Sequence, residues 1–409
     1  LNKNSRESKH MSAVAAPDHI SPDRIVEFDY LDDPRLAADI HDGLLALKTE
    51  APGIFWTPAN GGHWVVSDSD LISKILKTPA LFSSKQLQIP PRDDAPRMIP
   101  ESLDPPEHLL YRRLMMEYFE RSRIAHLQAR VDHWTDLVLS ELKDKPGCEF
   151  VDAVASRLPI YVFMEFAGFP LDRAEDFRGL VEGMFRSTDP IKRQEYAMRI
   201  MGELQQVISA KMESPGEDIL SKLIQADFQG RKLTFEELMS IGFLMFIAGL
   251  DTVTNAMTFG IRHMARDVDF RRKLTANPER VPEAVEELMR RYTFPTLPRQ
   301  VTEDMEFGGV TMKAGDMVLC LIALVGIDED LNPDALKVDL DRDKRTHFGF
   351  GTGGHTCLGR HLAKMELETL YRRWLEDFPD FEIDPTHAPA TPRGGAVMGI
   401  PELWLRLNA

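Results

Sequence analysis

Apolar residues at helical spacing recur through the middle of the chain. The segments 108–119 (HLLYRRLMMEYF), 124–142 (IAHLQARVDHWTDLVLSEL), 196–212 (YAMRIMGELQQVISAKM) and 235–265 (FEELMSIGFLMFIAGLDTVTNAMTFGIRHMA) each read as a helix with a buried face. Pro105-Pro106-Glu107 ahead of the first supplies a helix start, because proline at a first turn loses no hydrogen bond and an early Glu suits the helix dipole. The last segment is unusually long. Strand signals are fewer: GGHWVVSD (61–68) alternates, and MEFGGVTMKAGDMVLCLIALVG (305–326) places a Gly-Gly turn between short apolar runs. The pattern predicts a mainly α chain with a minor β part, and excludes a doubly wound nucleotide fold, which needs strands alternating with helices throughout.

No repeat, low-complexity tract or Gly/Ser linker divides the sequence, so we expect a flexible leader over residues 1–20 and one large domain over 21–409. With 43% hydrophobic residues the chain can bury a large core, and a formal charge of −16 argues against general affinity for nucleic acid or anionic membrane. The leader is polar and lacks the apolar run of a secretory signal. The most apolar stretch, Ile241 to Leu250, is about half the ~20 residues that span a bilayer and is followed at once by Asp251, so it reads as a buried core helix. The three cysteines, Cys148, Cys320 and Cys357, form no CxxC pair, which points to a reducing compartment and a cytoplasmic location.

Candidate chemistry concentrates in HFGFGTGGHTCLG, residues 347–359. Gly349, Gly351 and Gly354 satisfy GxGxxG, but RDKRTH precedes them where a dinucleotide loop needs a hydrophobic strand. Cys357 could be a nucleophile with His355 as base, although His355 is only two residues away. It could also be a buried structural cysteine, against which stands the density of glycine, suited to close approach of a large flat ligand. A thiolate beside backbone amides is a good axial ligand for haem iron, and this third reading uses more of the residues at once.

The segment resembles the cytochrome P450 haem-binding pattern F-G-x-G-x-H-x-C-x-G at Phe350, Gly351, Gly353, His355, Cys357 and Gly359. That resemblance implies the P450 fold, with haem (heme) b buried between a long central helix and the loop of the cysteine ligand, Cys357. It implies further that His108, Arg112, Arg299 and His355 hold the haem propionates. Ala248-Gly249-Leu250-Asp251-Thr252 resembles the family's oxygen-binding segment, with Asp251 as proton relay and Thr252 holding the activated oxygen as the proton arrives. A mid-helix threonine can bond back to the carbonyl four residues earlier, which suits that role. Glu287 and Arg290, one turn apart, match the family's E-x-x-R and with Arg342 resemble its structural Glu-Arg-Arg network.

DPPEH, GLDTV and CLGRHLA look closest to the bacterial camphor-hydroxylase branch, and two departures matter. Where that branch carries a tyrosine for the substrate ketone, this chain has Pro96 and Met98; where it carries an acid two residues before the propionate arginine, this chain has Leu297. Camphor is therefore disfavoured. The expected pocket wall is Leu87, Pro96, Met98, Phe185, Leu244, Ile247, Ala248, Pro295, Leu297, Ala396 and Val397, which suits a terpenoid or norisoprenoid of roughly ten to fifteen carbons such as an ionone. The resemblance implies O2 as co-substrate and a [2Fe–2S] ferredoxin with its reductase as electron donors, docking near Arg112, Arg113, Leu358 and Lys364, with no nucleic acid or membrane as partner. A haem-binding sensor without turnover and a cysteine-nucleophile hydrolase are the rival readings.

Overall fold

The computed structural model describes residues 13–92, 94–187 and 189–407, without the side chains of 185, 186 and 190. Helices dominate, and each helical segment expected from the sequence is present: Glu107–Phe119, Gln128–Ser140, Pro190–Glu213 and Phe235–Arg266. The last, the central helix, begins with reciprocal capping. Thr234 Oγ1 accepts from Glu237 N at 3.2 Å, and Glu237 Oε2 accepts from Thr234 N at 2.6 Å, satisfying two of the amides that a helix start leaves open.

Two hydrophobic cores divide the central helix between them. Leu238 to Leu250 belong to a cluster with Phe163, Phe177 and Leu204, whereas Val253 to Ala265 belong to another with Phe150, Leu370 and Trp374. Truncating one of the fully buried side chains here, such as Met257 or Ile261, to Ala costs ~2–5 kcal/mol. Between the cores, Ala248, Gly249, Asp251 and Thr252 are incompletely buried, and the site lies there. Gly260 lets the C-terminal helix Arg360–Asp377 come close: a Cβ at Gly260 would lie 2.0 Å from the Tyr371 hydroxyl, which donates to Ala256 O at 3.0 Å. The central helix Phe235–Arg266 is long and apolar enough to cross a membrane, but most of its apolar window is buried inside the protein.

A five-stranded sheet flanks the helices, in the order Ile54–Thr57, His63–Val66, Met317–Cys320, Leu297–Val301, Phe82–Ser83. His63–Val66 and Met317–Cys320 fall where the alternation predicted them, and Met305–Phe307 pairs with Val310–Met312 across the expected Gly308-Gly309 turn. Leu297–Val301 carries no clear strand signal because it contains Pro298. The missing amide is tolerated there because Phe82–Ser83 covers only Gln300 and Val301, leaving Pro298 uncovered on that side. A three-stranded sheet joins Gly147–Glu149, Trp404–Leu407 and Phe381–Ile383.

Residues 1–12 of the expected leader lie outside the described residues. Its remainder is bound to the sheet: Val14 N donates to Pro58 O at 3.1 Å, and Ile20 is buried beside Trp56. Ordered structure thus extends ahead of residue 21.

Candidate functional site

A cavity of about 330 Å³ separates the central helix, from Leu244 to Ala256, from the loop Gly349–Gly359 and the start of the C-terminal helix. The loop turns back on itself, with Gly351 N donating to Phe348 O and Cys357 N to Phe350 O, both at 2.8 Å. Gly353 has φ +72°, and a Cβ there would lie 2.7 Å from Leu76 O, so that position is closed to any other residue. Cys357 follows this turn and precedes the helix, whose N-cap is Gly359, so its thiol opens onto the cavity. Residues 341–350 form no strand, and the phosphate-loop reading fails on that ground.

The three thiols differ in surroundings. Cys148 and Cys320 are buried among apolar neighbours, which pushes each up to about 12 and leaves it inert. Burial raises the Cys357 thiol too, but the Gly359 amide and the guanidiniums of Arg112 and Arg360 oppose the rise. A bound metal cation would complete the deprotonation. His355 does not serve as base to Cys357: its Nε2 meets Ser84 Oγ at 3.2 Å and its Nδ1 faces Glu101 at 3.7 Å. The nucleophile reading thereby loses its base.

One edge of the cavity gathers nitrogen donors from three elements. Arg112 comes from the Glu107–Phe119 helix and donates to Thr356 O; Arg299 comes from the sheet, is 2% exposed and donates Nη1 to Pro298 O at 2.7 Å. His108, from the same helix as Arg112, does not line the cavity; it is wholly buried with neither ring nitrogen hydrogen-bonded, and its ring lies 4.0 Å from that of the lining residue His355, whose Nδ1 also makes no hydrogen bond. Burial, His355 and Arg112 lower His108 to about 4, so it stands as a neutral imidazole at pH 7. Orphaned buried nitrogens cost free energy unless a ligand meets them, and two guanidiniums beside them suit a pair of carboxylates. The thiol, glycine turn and cationic edge therefore fit a flat dicarboxylate macrocycle with a metal at its centre.

The family model for cytochrome P450 matches residues 137–405. The chain belongs to the cytochrome P450 family. It is 30% identical to the probable cytochrome P450 127A1 of Sinorhizobium fredii, over 97% of this chain and 98% of that protein. Among solved structures it resembles CYP101J2 (TM-score 0.90, 32% identity) and CYP101C1 (TM-score 0.90, 28% identity), each over 97% of this chain and all of theirs. The family's cofactor is haem b and its members are monooxygenases, so this P450 is an oxidoreductase with the P450 fold.

Thr252 lines the cavity and its hydroxyl donates to Ala248 O at 2.7 Å, the back-bond expected of it. Asp251 does not line the cavity; its Oδ2 accepts from Arg393 Nη2 at 2.7 Å, a pairing absent from every motif. The predicted network is assembled. Glu287 and Arg290 are fully buried and paired at 2.7 Å, Arg342 Nε reaches Glu287 at 3.0 Å, and Arg345, a member that sequence reasoning missed, stands 3.5 Å away. The basic run DRDKR was the available signal for Arg345.

The expected pocket wall is corrected in part. Leu244, Ala248, Pro295 and Leu297 line the cavity with Gly249, Phe350 and Gly351. Leu87, Pro96 and Met98 line a different cavity, of about 550 Å³, inside the irregular segment 84–106. The described residues of that segment form no helix to turn them inward. Ile247 packs into the Phe177 core; Ala396 and Val397 sit behind the wall, where Val397 bridges Pro295. The Phe185 side chain lies outside the described residues. Met245, Phe294 and Ile322 complete the apolar wall, and Glu101 and Glu366 add two acids. Burial raises Glu366 well above the ordinary carboxylate range, which favours its protonated form. In the expected docking patch, Arg113 is exposed but Lys364 is already bonded to Glu286.

Proposed function

We propose that this P450 hydroxylates a small hydrophobic molecule, a terpenoid or norisoprenoid such as an ionone rather than camphor. Cys357 would supply the thiolate ligand to the haem iron, and His108, Arg112, Arg299 and His355 would hold the two propionates. The observation that carries the reading is that Cys357, with its thiol on the cavity, faces it together with Thr252 from the central helix, while Cys148 and Cys320 are sealed in apolar cores. Haem b, when bound, supplies the iron at which O2 is activated with two electrons and two protons.

The chain's own residues supply the rest. Leu244, Phe294, Pro295, Leu297 and Ile322 form an apolar wall that orients a hydrocarbon and excludes water. Asp251, a carboxylate ion-paired to Arg393 outside that wall, takes up a proton as it leaves that pair, and the adjacent Thr252 hydroxyl passes it inward by exchanging its bond to Ala248 O for one across the cavity. Such a relay favours turnover over a sensor, which needs no proton path. We assign the electrons to a [2Fe–2S] ferredoxin and its reductase, docking over Arg112, Arg113 and Leu358, and the location to the cytoplasm.

The reduced protein under CO is expected to absorb at ~450 nm, the signature of thiolate ligation. Cys357→Ala abolishes that band and Cys148→Ala retains it; a wild-type protein without the band refutes the assignment. A low-to-high spin shift on titration with ionones, stronger than with camphor, tests the substrate class.

A further inference from the structure

Leu297 stands where the camphor-hydroxylase branch has an acid, so the strand Leu297–Val301 brings Arg299 to the cavity edge without that carboxyl. A carboxyl reaches the edge from elsewhere. Glu101, in the irregular segment ahead of the Glu107–Phe119 helix, lines the same cavity, with Oε2 3.7 Å from His355 Nδ1. Because Ser84 takes His355 Nε2, the ring nitrogen left without a hydrogen bond is the one facing Glu101. Burial would raise the Glu101 carboxyl, yet His355, Arg299 and Arg112 reverse this and hold it below the ordinary range. The groups that favour its anion are three of the four assigned to the propionates.

We propose that Glu101 is a positioning residue of the haem edge, a third carboxyl set among the propionate-holding cations, which replaces from another element the acid absent at position 297. The inference rests on the haem assignment above. A fixed negative charge at this edge of the cleft opposes addition of an electron at the iron, so Glu101 lowers the reduction potential. It also draws on the same guanidiniums as the propionates, leaving less positive charge for each and loosening the hold on the cofactor.

The test uses the holoprotein and two readouts besides turnover: the reduction potential and the rate of haem transfer to apomyoglobin. Glu101→Gln keeps the shape and removes the charge. It is expected to raise the ferrous-to-ferric ratio at fixed potential by about threefold to tenfold, tenfold being 59 mV for one electron, and to slow haem loss. Glu101→Asp keeps both readouts near wild type, and adding Leu297→Asp to Glu101→Gln returns the potential toward wild type. An unchanged potential in Glu101→Gln with the ~450 nm band intact overturns the inference and leaves the haem assignment standing. A double variant that stays shifted overturns the equivalence with position 297. Absence of the band from wild type overturns the assignment instead.

Discussion

Glu287→Gln takes the charge out of the buried network while keeping its shape. The carboxylate accepts four hydrogen bonds: from Arg290 Nε (2.9 Å) and Nη2 (2.7 Å), from Arg342 Nε (3.0 Å) and from Asp339 N (3.0 Å). A carboxamide accepts at one oxygen and turns an NH2 toward the guanidiniums, so part of this set is lost and two buried cations remain without counter-charge. Breaking one side of a buried pair costs ~3–5 kcal/mol. Unfolding entropy for 409 residues is about 0.9 kcal/mol/K, so Tm falls by about 3–6 °C. Arg280 and Glu283, paired at 2.6 Å on the surface at the start of the Val281–Arg291 helix that carries Glu287, give the control: an exposed pair is worth ~0–1 kcal/mol, and Glu283→Gln shifts Tm by about 1 °C at most. Calorimetry of the holoprotein measures both. Arg290 Nη1 also holds Ala335 O at 2.7 Å, and Arg342 Nη1 holds Pro333 O at 2.6 Å, so the network fixes the chain ahead of the cysteine loop. Glu287→Gln therefore loses its CO band on warming before its helical signal. Equal melting of the two variants, with equal retention of the band, would refute the reasoning.

Thr252→Ala keeps the CO spectrum but diverts electrons to hydrogen peroxide, cutting product per electron pair by about tenfold or more; Arg393→Gln does the same to a smaller degree, and unchanged coupling in both removes the relay. Stability also depends on pH through His41, which burial and Arg291 hold at about 3 in the folded chain against 6.5 ordinarily. The unfolded chain binds the proton first, so this contribution is complete above about 6.5 and is lost as pH falls toward 3, at a slope approaching ~1.4 kcal/mol per pH unit. Urea unfolding at pH 7.5, 6 and 5 measures the slope above the titration of most carboxylates, and an equal slope in His41→Gln would show that another group carries it.

What could be read in the sequence is what the chain encodes locally. The cysteine loop is such a case, because its turn needs glycine at Gly351 and Gly353 whatever surrounds it, and the central helix is another, since its capping box and apolar run are both contiguous. Side chains brought together across the fold leave no such mark. Arg393 and Asp251 are 142 residues apart, and nothing near Arg393 distinguishes it from a solvated arginine. Leu87, Pro96 and Met98 went to the wrong cavity for a related reason: with no helix or strand around them, periodicity says nothing of where they point. Glu101 belongs to that same irregular segment, and only the folded chain sets it against Arg299. The absence of an acid at position 297 was visible, but its replacement was not, because electrostatic complementarity is satisfied in space and any element that reaches the edge can supply it.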